Sequence, residues 1–176
     1  EYLASLGKYD ITLISGGDIK QINDLEKRNV GKYIYFPFSR EINLWGDFVC
    51  LFKLFIFFTS HRFDVVIYST PKALLLGSIS SFLTLQKNRV AIIRGRVYEN
   101  YSGKKRKFFE LLDKLSLKVS NKCIFISKSL QQRFIDEKIT CPAKSIVLLH
   151  GSSNGIDLAW LKSPLDESKV LAIKDK

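Results

Sequence analysis

Short apolar runs and longer amphipathic stretches alternate along this chain of 176 residues. Val65-Val66-Ile67 and Ile146-Val147-Leu148-Leu149 are continuous apolar runs, typical of parallel strands buried on both faces. The runs predict strands at Asp10–Ser15, Gly31–Phe36, Asp64–Ser69, Arg89–Arg94, Lys122–Ser127 and Ser145–Leu149. Between them, the longer stretches predict helices at Asp18–Asn29, Leu44–Ser60, Lys72–Leu85, Lys104–Ser120 and Lys128–Glu137. The alternation indicates an α/β fold with a doubly wound, mostly parallel, Rossmann-like sheet.

Length and composition favour a single domain. The chain is long enough for one well-buried core, and its hydrophobic fraction of 46% is typical of globular proteins. We expect one domain over residues 1–157 and a linker, or the start of an interdomain segment, over residues 158–176. Because the sequence begins without Met, in a short helical phrase that precedes the first predicted strand, we also expect an upstream segment to be missing.

Cysteine and histidine usage predicts no metal site. Cys50, Cys123 and Cys141 are odd in number and widely separated, which fits neither a disulfide framework nor paired metal ligands. With His61 and His150 alone, a histidine-based metal site has few candidates. A reducing compartment is therefore expected.

The net charge of +11 indicates an anionic partner. A nucleic acid, an acidic membrane surface and a phosphorylated substrate all fit, and charge alone does not choose among them. The most apolar stretch, Phe48 to Phe58, is interrupted by Lys53 and is too short to span a bilayer. The protein is expected to be soluble or peripheral.

The loops that leave the strands are the candidate ligand-binding segments, since doubly wound sheets bind ligands beyond the carboxyl ends of their strands. After the first predicted strand, Gly16 and Gly17 favour a plain turn over a phosphate loop. After the third, Thr70 is a candidate helix cap beside Pro71. Lys72 is either a binding residue at the mouth of the sheet or a solvated lysine.

The loop after the fourth strand holds the densest charge. Arg94 and Arg96 flank Gly95, an arrangement that suits bidentate contacts to a pyrophosphate. Glu99 acts either as a base or as a partner that holds an arginine in place. The basic run from Lys104 to Lys107 opposes the dipole of the following helix, which an external anion would relieve.

The last two exits combine small and polar residues. Ser127 follows the fifth strand, where a helix cap is the favoured role. The final exit, from Gly151 to Asp157, consists of residues that allow positive φ or a close backbone approach. A tight interdomain turn explains the composition of this segment without a bound ligand.

The phrases FDVVIYSTPKA, IIRGRVYEN, IFISKSL and LLHGSSNGID resemble, in order, the N-terminal, acceptor-side domain of the GT-B transferases of glycosyltransferase family four. They are most similar to the bacterial branch that adds sugars to undecaprenyl-diphosphate-linked intermediates of surface polysaccharides or glycoprotein glycans. The resemblance implies a retaining hexosyl- or N-acetylhexosaminyltransferase without a metal or cofactor. It also implies a nucleotide-sugar donor, UDP-linked, that is held by a second domain absent from this chain. The first strand of the family and its glycine-bearing loop are expected to precede residue 1, so that this strand is missing here.

The resemblance also implies where the acceptor binds. The candidate acceptor-binding residues are Thr70, Lys72, Arg94, Arg96, Glu99 and Ser127. The candidate interdomain turn comprises Gly151, Ser153, Asn154, Gly155 and Asp157. The expected partners are a lipid-diphosphate glycan and an anionic membrane surface, which place the protein in the cytoplasm at the inner face of the cytoplasmic membrane. Without its donor domain the chain is expected to be inactive, and no catalytic residue is identified.

The predicted helix Leu44–Ser60 links the chain to a lipid surface. Its aromatic residues are Trp45, Phe48, Phe52, Phe55 and Phe58. Burial of these aromatic residues against the sheet is the favoured role, and insertion of part of this helix face into a membrane interface is the alternative.

Two other classes of function share some of these sequence features. A basic α/β module that binds nucleic acid would explain the charge, but the sequence has no RNA-binding or helix-turn-helix motif, so nucleic acid is not an expected partner. A dinucleotide-dependent oxidoreductase shares the fold, but the glycine-rich turn lacks the GxGxxG spacing.

Overall fold

A computed structural model describes residues 2–16, 23–24, 26–38 and 43–151 of the protein. The strands are β1 (Thr12–Ser15), β2 (Lys32–Tyr35), β3 (Val66–Tyr68), β4 (Arg89–Ile93), β5 (Lys122–Phe125) and β6 (Ser145–Val147). The helices are α1 (Tyr2–Ser5), α2 (Leu44–Ser60), α3 (Pro71–Leu83), α4 (Gly103–Val119) and α5 (Lys128–Asp136). A short 3-10 helix, Pro142–Lys144, precedes β6.

The predicted order of strands and helices is confirmed. All six predicted strands are present with somewhat narrower bounds, and α2 has the predicted bounds. The Asn43 side chain caps α2 by accepting a hydrogen bond from the Gly46 amide at 3.0 Å. Most of the predicted helix Asp18–Asn29 lies outside the described residues, although residues 23, 24, 26 and 27 are helical.

The strands form two parallel sheets where the sequence indicates one. One sheet has the order β1-β2, and the other has the order β3-β4-β5-β6. Ile14 of β1 and Val66 of β3 both pack against a core cluster around Leu54 of α2, but β1 and β3 are not paired in the described part of the chain. The two sheets therefore share a core without sharing backbone hydrogen bonds.

The larger core cluster lies under one face of the four-stranded sheet. Ala91, Cys123 and Phe125 of this face are almost completely buried, and Phe134 of α5 packs edge-on to Phe125. Tyr68 of β3 is also buried and shares a 2.9 Å hydrogen bond with the Ser120 hydroxyl, so its polar end has a partner. This cluster fixes the strand ends from which the candidate loops start.

Candidate functional site

A cavity of about 310 Å³ opens beyond the carboxyl ends of β3 and β4. It lies at the edge of the sheet where the fold predicts a ligand. Ser69, Pro71 and Leu74 line it after β3, and the segment from Ile92 to Val97 lines it along β4 and its exit. Asp113, from the middle of α4, completes the lining.

Arg94 is the exposed cation of this cavity. It makes no ion pair with the described residues. The neighbouring Gly95 has open space where a side chain would lie, so the backbone here is accessible. Arg94 is therefore accessible on the cavity lining, and its role in binding an anion stays a prediction.

Arg96 is committed to protein carboxylates. Its side chain is only 8% exposed, and its Nη1 and Nη2 atoms lie 2.7 Å and 3.3 Å from the carboxylates of Glu137 and Glu99. Burial lowers the Arg96 pKa, but hydrogen bonds and charge from Glu137 and Glu99 outweigh burial and raise it. Glu99 also lies 3.3 Å from Arg133. Of the two roles predicted for Glu99, the geometry matches the one that holds an arginine in place.

Two buried polar groups beside this network lack partners among the described residues, namely the Arg96 Nε atom and the Tyr98 hydroxyl. Tyr98 is completely buried, and the guanidinium carbon of Arg96 lies 5.8 Å from its ring centre. Burial raises the Tyr98 pKa, and the negative charges of Asp113 and Glu137 raise it further.

Asp113 is the cavity residue that sequence reasoning missed. It lies on the inward-facing stripe of α4 with Phe109, Ser116 and Leu117. Burial raises the pKa of its carboxyl group from 3.8 to about 6. An acidic residue on the buried stripe of an amphipathic helix is unusual, and that signal was available in the sequence.

The remaining acceptor-side candidates are not part of the cavity lining. Thr70 occupies the N-cap position of α3, as predicted, but its side chain makes no capping bond. Lys72 Nζ lies 2.6 Å from the Asp47 carboxylate and joins α3 to α2. Ser127 caps α5 by accepting a hydrogen bond from the Leu130 amide at 3.2 Å, which matches the favoured role.

Gly151 is the one residue of the predicted interdomain turn that the structure describes. Its φ of +84° suits glycine, and a Cβ there would lie 2.5 Å from the Ile126 carbonyl oxygen. The positive φ and the close approach to this carbonyl each exclude a residue with a side chain at position 151. Ser153, Asn154, Gly155 and Asp157, like the predicted linker 158–176, lie outside the described residues.

One face of α2 is apolar and exposed. We call it the α2 apolar stripe; its members are Leu44, Trp45, Phe48, Phe52 and Ile56. Trp45 is 76% exposed and Phe48 60% exposed, whereas Phe58 is buried and Phe55 is half-buried. Burial against the core thus accounts for only part of the predicted aromatic surface.

Two other features, a membrane-spanning helix and a metal-binding cluster, are absent from the described residues. No helix among them is long and apolar enough to cross a membrane. No group of three or more histidine, cysteine, aspartate or glutamate side chains among them is arranged to hold a metal ion.

The parallel strands, the flanking helices and a cavity beyond the strand ends define a Rossmann-like domain. The chain is 32% identical over 163 residues to the capsular polysaccharide biosynthesis glycosyltransferase CapM of Staphylococcus aureus, a match that covers 92% of the chain and 41% of CapM. No protein-family model matches.

Solved structures of HepE from Anabaena have the same fold. The complex with UDP-glucose aligns with a TM-score of 0.62 and 18% identity, over 92% of the chain and 42% of HepE. The complex with UDP and glucose gives a TM-score of 0.59 and 18% identity, over 89% of the chain and 41% of HepE. The chain spans about two fifths of the length of both proteins. It is homologous to CapM and has the fold of the N-terminal, Rossmann-like half of a GT-B glycosyltransferase, as the resemblance predicts, while membership of family four stays a prediction.

Proposed function

We propose that the chain is the acceptor-side domain of a glycosyltransferase for bacterial surface glycans. In this proposal the whole protein transfers a sugar from a nucleotide sugar to a lipid-linked or polysaccharide acceptor. The observation that carries the proposal is the cavity beyond β3 and β4 with Arg94 on its lining, exposed and without an ion pair to any described residue. The homology to CapM, a capsular polysaccharide transferase, supports the reaction class.

The proposed donor is a UDP-linked sugar. HepE, which has the same fold, was solved with UDP-glucose, and this supports the choice of nucleotide. We assign the donor mainly to the part of the protein beyond this chain. The proposed reaction is retaining transfer of a hexosyl or N-acetylhexosaminyl group.

The proposed acceptor is a lipid diphosphate that bears a glycan. The Arg94 guanidinium offers a fork of N–H donors that matches phosphate oxygens. Lys104, Lys105 and Lys107 are exposed at the start of α4 and add positive charge to the domain. They would attract an anionic acceptor over a longer range.

The contribution of this domain to catalysis is to hold the acceptor in position. Correct alignment of the acceptor hydroxyl with the donor removes much of the entropic barrier to transfer. Arg96 contributes indirectly, because its contacts to Glu99 and Glu137 fix the loop from which Arg94 extends. We therefore class Arg94 as a binding residue and Arg96 as a positioning residue.

The α2 apolar stripe is the proposed contact with the membrane. An exposed row of aromatic and aliphatic residues on a basic domain suits an interface with anionic lipids, where tryptophan and phenylalanine insert below the headgroups. This contact would place the cavity near a lipid-linked acceptor at the inner face of the cytoplasmic membrane.

A turnover assay tests the proposed function. The full-length protein is incubated with UDP-sugars and an undecaprenyl-diphosphate-linked monosaccharide, and the 176-residue chain is assayed in parallel. We expect transfer by the full-length protein with at least one donor and none by the chain alone. Failure of the full-length protein with every nucleotide sugar, or turnover by the chain alone, would contradict the proposal.

A further inference from the structure

We propose that Asp113 is a ligand-binding residue whose carboxyl group hydrogen-bonds a hydroxyl of the acceptor sugar inside the cavity. This inference rests on the proposed function, because it names the part of the acceptor that the cavity receives. Asp113 lies on α4, away from the loops that the sequence identifies as binding segments.

The lining of the cavity matches a sugar next to a phosphate. Pro71, Leu74 and Val97 supply apolar surface, and Arg94 and Asp113 supply charges of opposite sign. A sugar ring presents apolar C–H groups together with hydroxyls, and it needs both kinds of surface. An ionised carboxylate accepts hydrogen bonds from hydroxyls, whereas Arg94 suits the phosphate oxygens.

Asp113 has no structural partner in the described part of the chain. It makes no hydrogen bond or ion pair there, and burial alone raises its pKa. Arg96 and Arg106 pair with other carboxylates, since Arg96 contacts Glu99 and Glu137 and Arg106 contacts Glu110. Arg94 shares the cavity lining with Asp113 but makes no ion pair with it. A partly buried carboxyl group without a partner costs free energy, and such groups are concentrated at functional sites.

Two further buried polar groups have no hydrogen-bond partner among the described residues. The Arg96 Nε atom belongs to a residue of the cavity lining, and the Tyr98 hydroxyl lies close enough to Asp113 for the negative charge of that residue to raise the Tyr98 pKa. Buried polar groups are normally satisfied. Asp113 and Arg96 both line the cavity and carry polar atoms without a partner among the described residues, which favours a polar ligand there, whereas the fully buried Tyr98 is not part of the lining.

A metal ion fits this place less well than a hydroxyl. Among the described residues, Asp113 is the only carboxylate on the cavity lining, which also includes the cations Arg94 and Arg96. Divalent cations need several oxygen ligands and are repelled by nearby arginines. A sugar hydroxyl needs only one acceptor and carries no charge.

The experiment compares two probes on the full-length protein, farnesyl-diphosphate-linked N-acetylglucosamine and farnesyl diphosphate without a sugar. Asp113→Leu should weaken binding of the sugar-bearing probe by about tenfold or more, because a hydrogen bond to a charged group is lost. Binding of the sugarless probe should stay unchanged. Asp113→Asn, whose amide oxygen still accepts a hydrogen bond, should weaken binding of the sugar-bearing probe by less and should also leave the sugarless probe unaffected. This variant provides the test if the leucine variant does not fold.

The matched control is Asp136→Leu, which removes an exposed aspartate on α5 and should bind both probes like the wild type. Equal losses for the two probes in the Asp113 variants would assign Asp113 a structural role and overturn the inference. So would unchanged binding of both probes, or no binding of the sugar-bearing probe by the wild type. If the wild type binds that probe in an Asp113-dependent way but transfers no sugar, the proposed activity fails and the inference stands.

Discussion

Arg96 and Glu137 lie 41 residues apart in the chain, and their side chains meet at an Nη1–Oε1 distance of 2.7 Å. The contact joins the loop after β4 to the end of α5. Arg106 of α4 also lies 3.4 Å from Glu137, so three segments meet at one carboxylate. This contact holds the loop that presents Arg94.

Replacing Arg96 by alanine should destabilise the fold. The change leaves Glu137 and Glu99 without their shared guanidinium, and the Arg96 side chain is almost fully buried. Because both carboxylates keep some solvent contact, we expect a loss of about 1–3 kcal/mol in the free energy of unfolding. Urea unfolding of the 176-residue chain measures it. Arg133→Ala is the control, since Arg133 is 60% exposed and its removal should cost less than about 0.5 kcal/mol. Equal losses in the two variants would contradict the structural role of Arg96.

Above pH 4 the free energy of unfolding of the chain should decrease with rising pH because of Asp113. In the unfolded chain its carboxyl group ionises near the ordinary value of 3.8, whereas in the folded chain burial raises the pKa to about 6. The folded state therefore binds the proton more tightly, and stability that is present at low pH is lost as the pH rises to about 6.

Asp113→Asn should remove this loss. We expect the variant to be more stable than the wild type by up to about 3 kcal/mol above pH 7, because two pKa units correspond to roughly that free energy. Below pH 4 this advantage should vanish. Urea unfolding from pH 3.5 to pH 8 gives the difference, and a difference that does not vary with pH would show that Asp113 is not buried as described.

The α2 apolar stripe should determine binding to lipid vesicles. Phe48→Ser with Phe52→Ser removes two exposed phenylalanines and should weaken binding of the chain to anionic vesicles by at least about tenfold, since insertion of each ring contributes on the order of 1 kcal/mol or more. Affinity should also fall as salt rises, since the domain is strongly basic.

Vesicle flotation measures this binding, with Phe108→Ser as the control. Phe108 is a similarly exposed phenylalanine on α4, at 52%, outside the stripe. If the control loses as much binding as the double variant, or if the wild type does not respond to anionic lipid content, the stripe is not the membrane contact.

The order of strands and helices was predictable because each element follows from local periodicity. The bounds of α2 follow from the Asn43 cap and the apolar run after it. The division into two sheets was not predictable, because strand pairing depends on which edges meet in space. The local pattern of hydrophobic residues specifies a strand or a helix, but it does not specify which strands pair with each other.

The candidate site was predictable in part for the same reason. The position of Arg94 at the cavity was predictable because Arg94 follows a strand, and strand exits gather at one edge of the sheet. The partner of Arg96 was not found, since Glu137 is distant in sequence. Asp113 was not predicted, because the predicted site included only residues at the strand exits and Asp113 lies on a helix that lines the cavity.

The central claim, that this domain binds the acceptor, is tested most directly by the steady-state kinetics of Arg94→Ala in the full-length protein. Loss of a charge-assisted contact to phosphate costs on the order of 1.5–3 kcal/mol, so kcat/KM for the acceptor should fall roughly ten- to a hundredfold. The KM for the nucleotide sugar should stay unchanged, and Arg94→Lys should recover only part of the loss, because a point charge lacks the guanidinium fork. An unchanged acceptor kcat/KM with a raised donor KM would contradict the account.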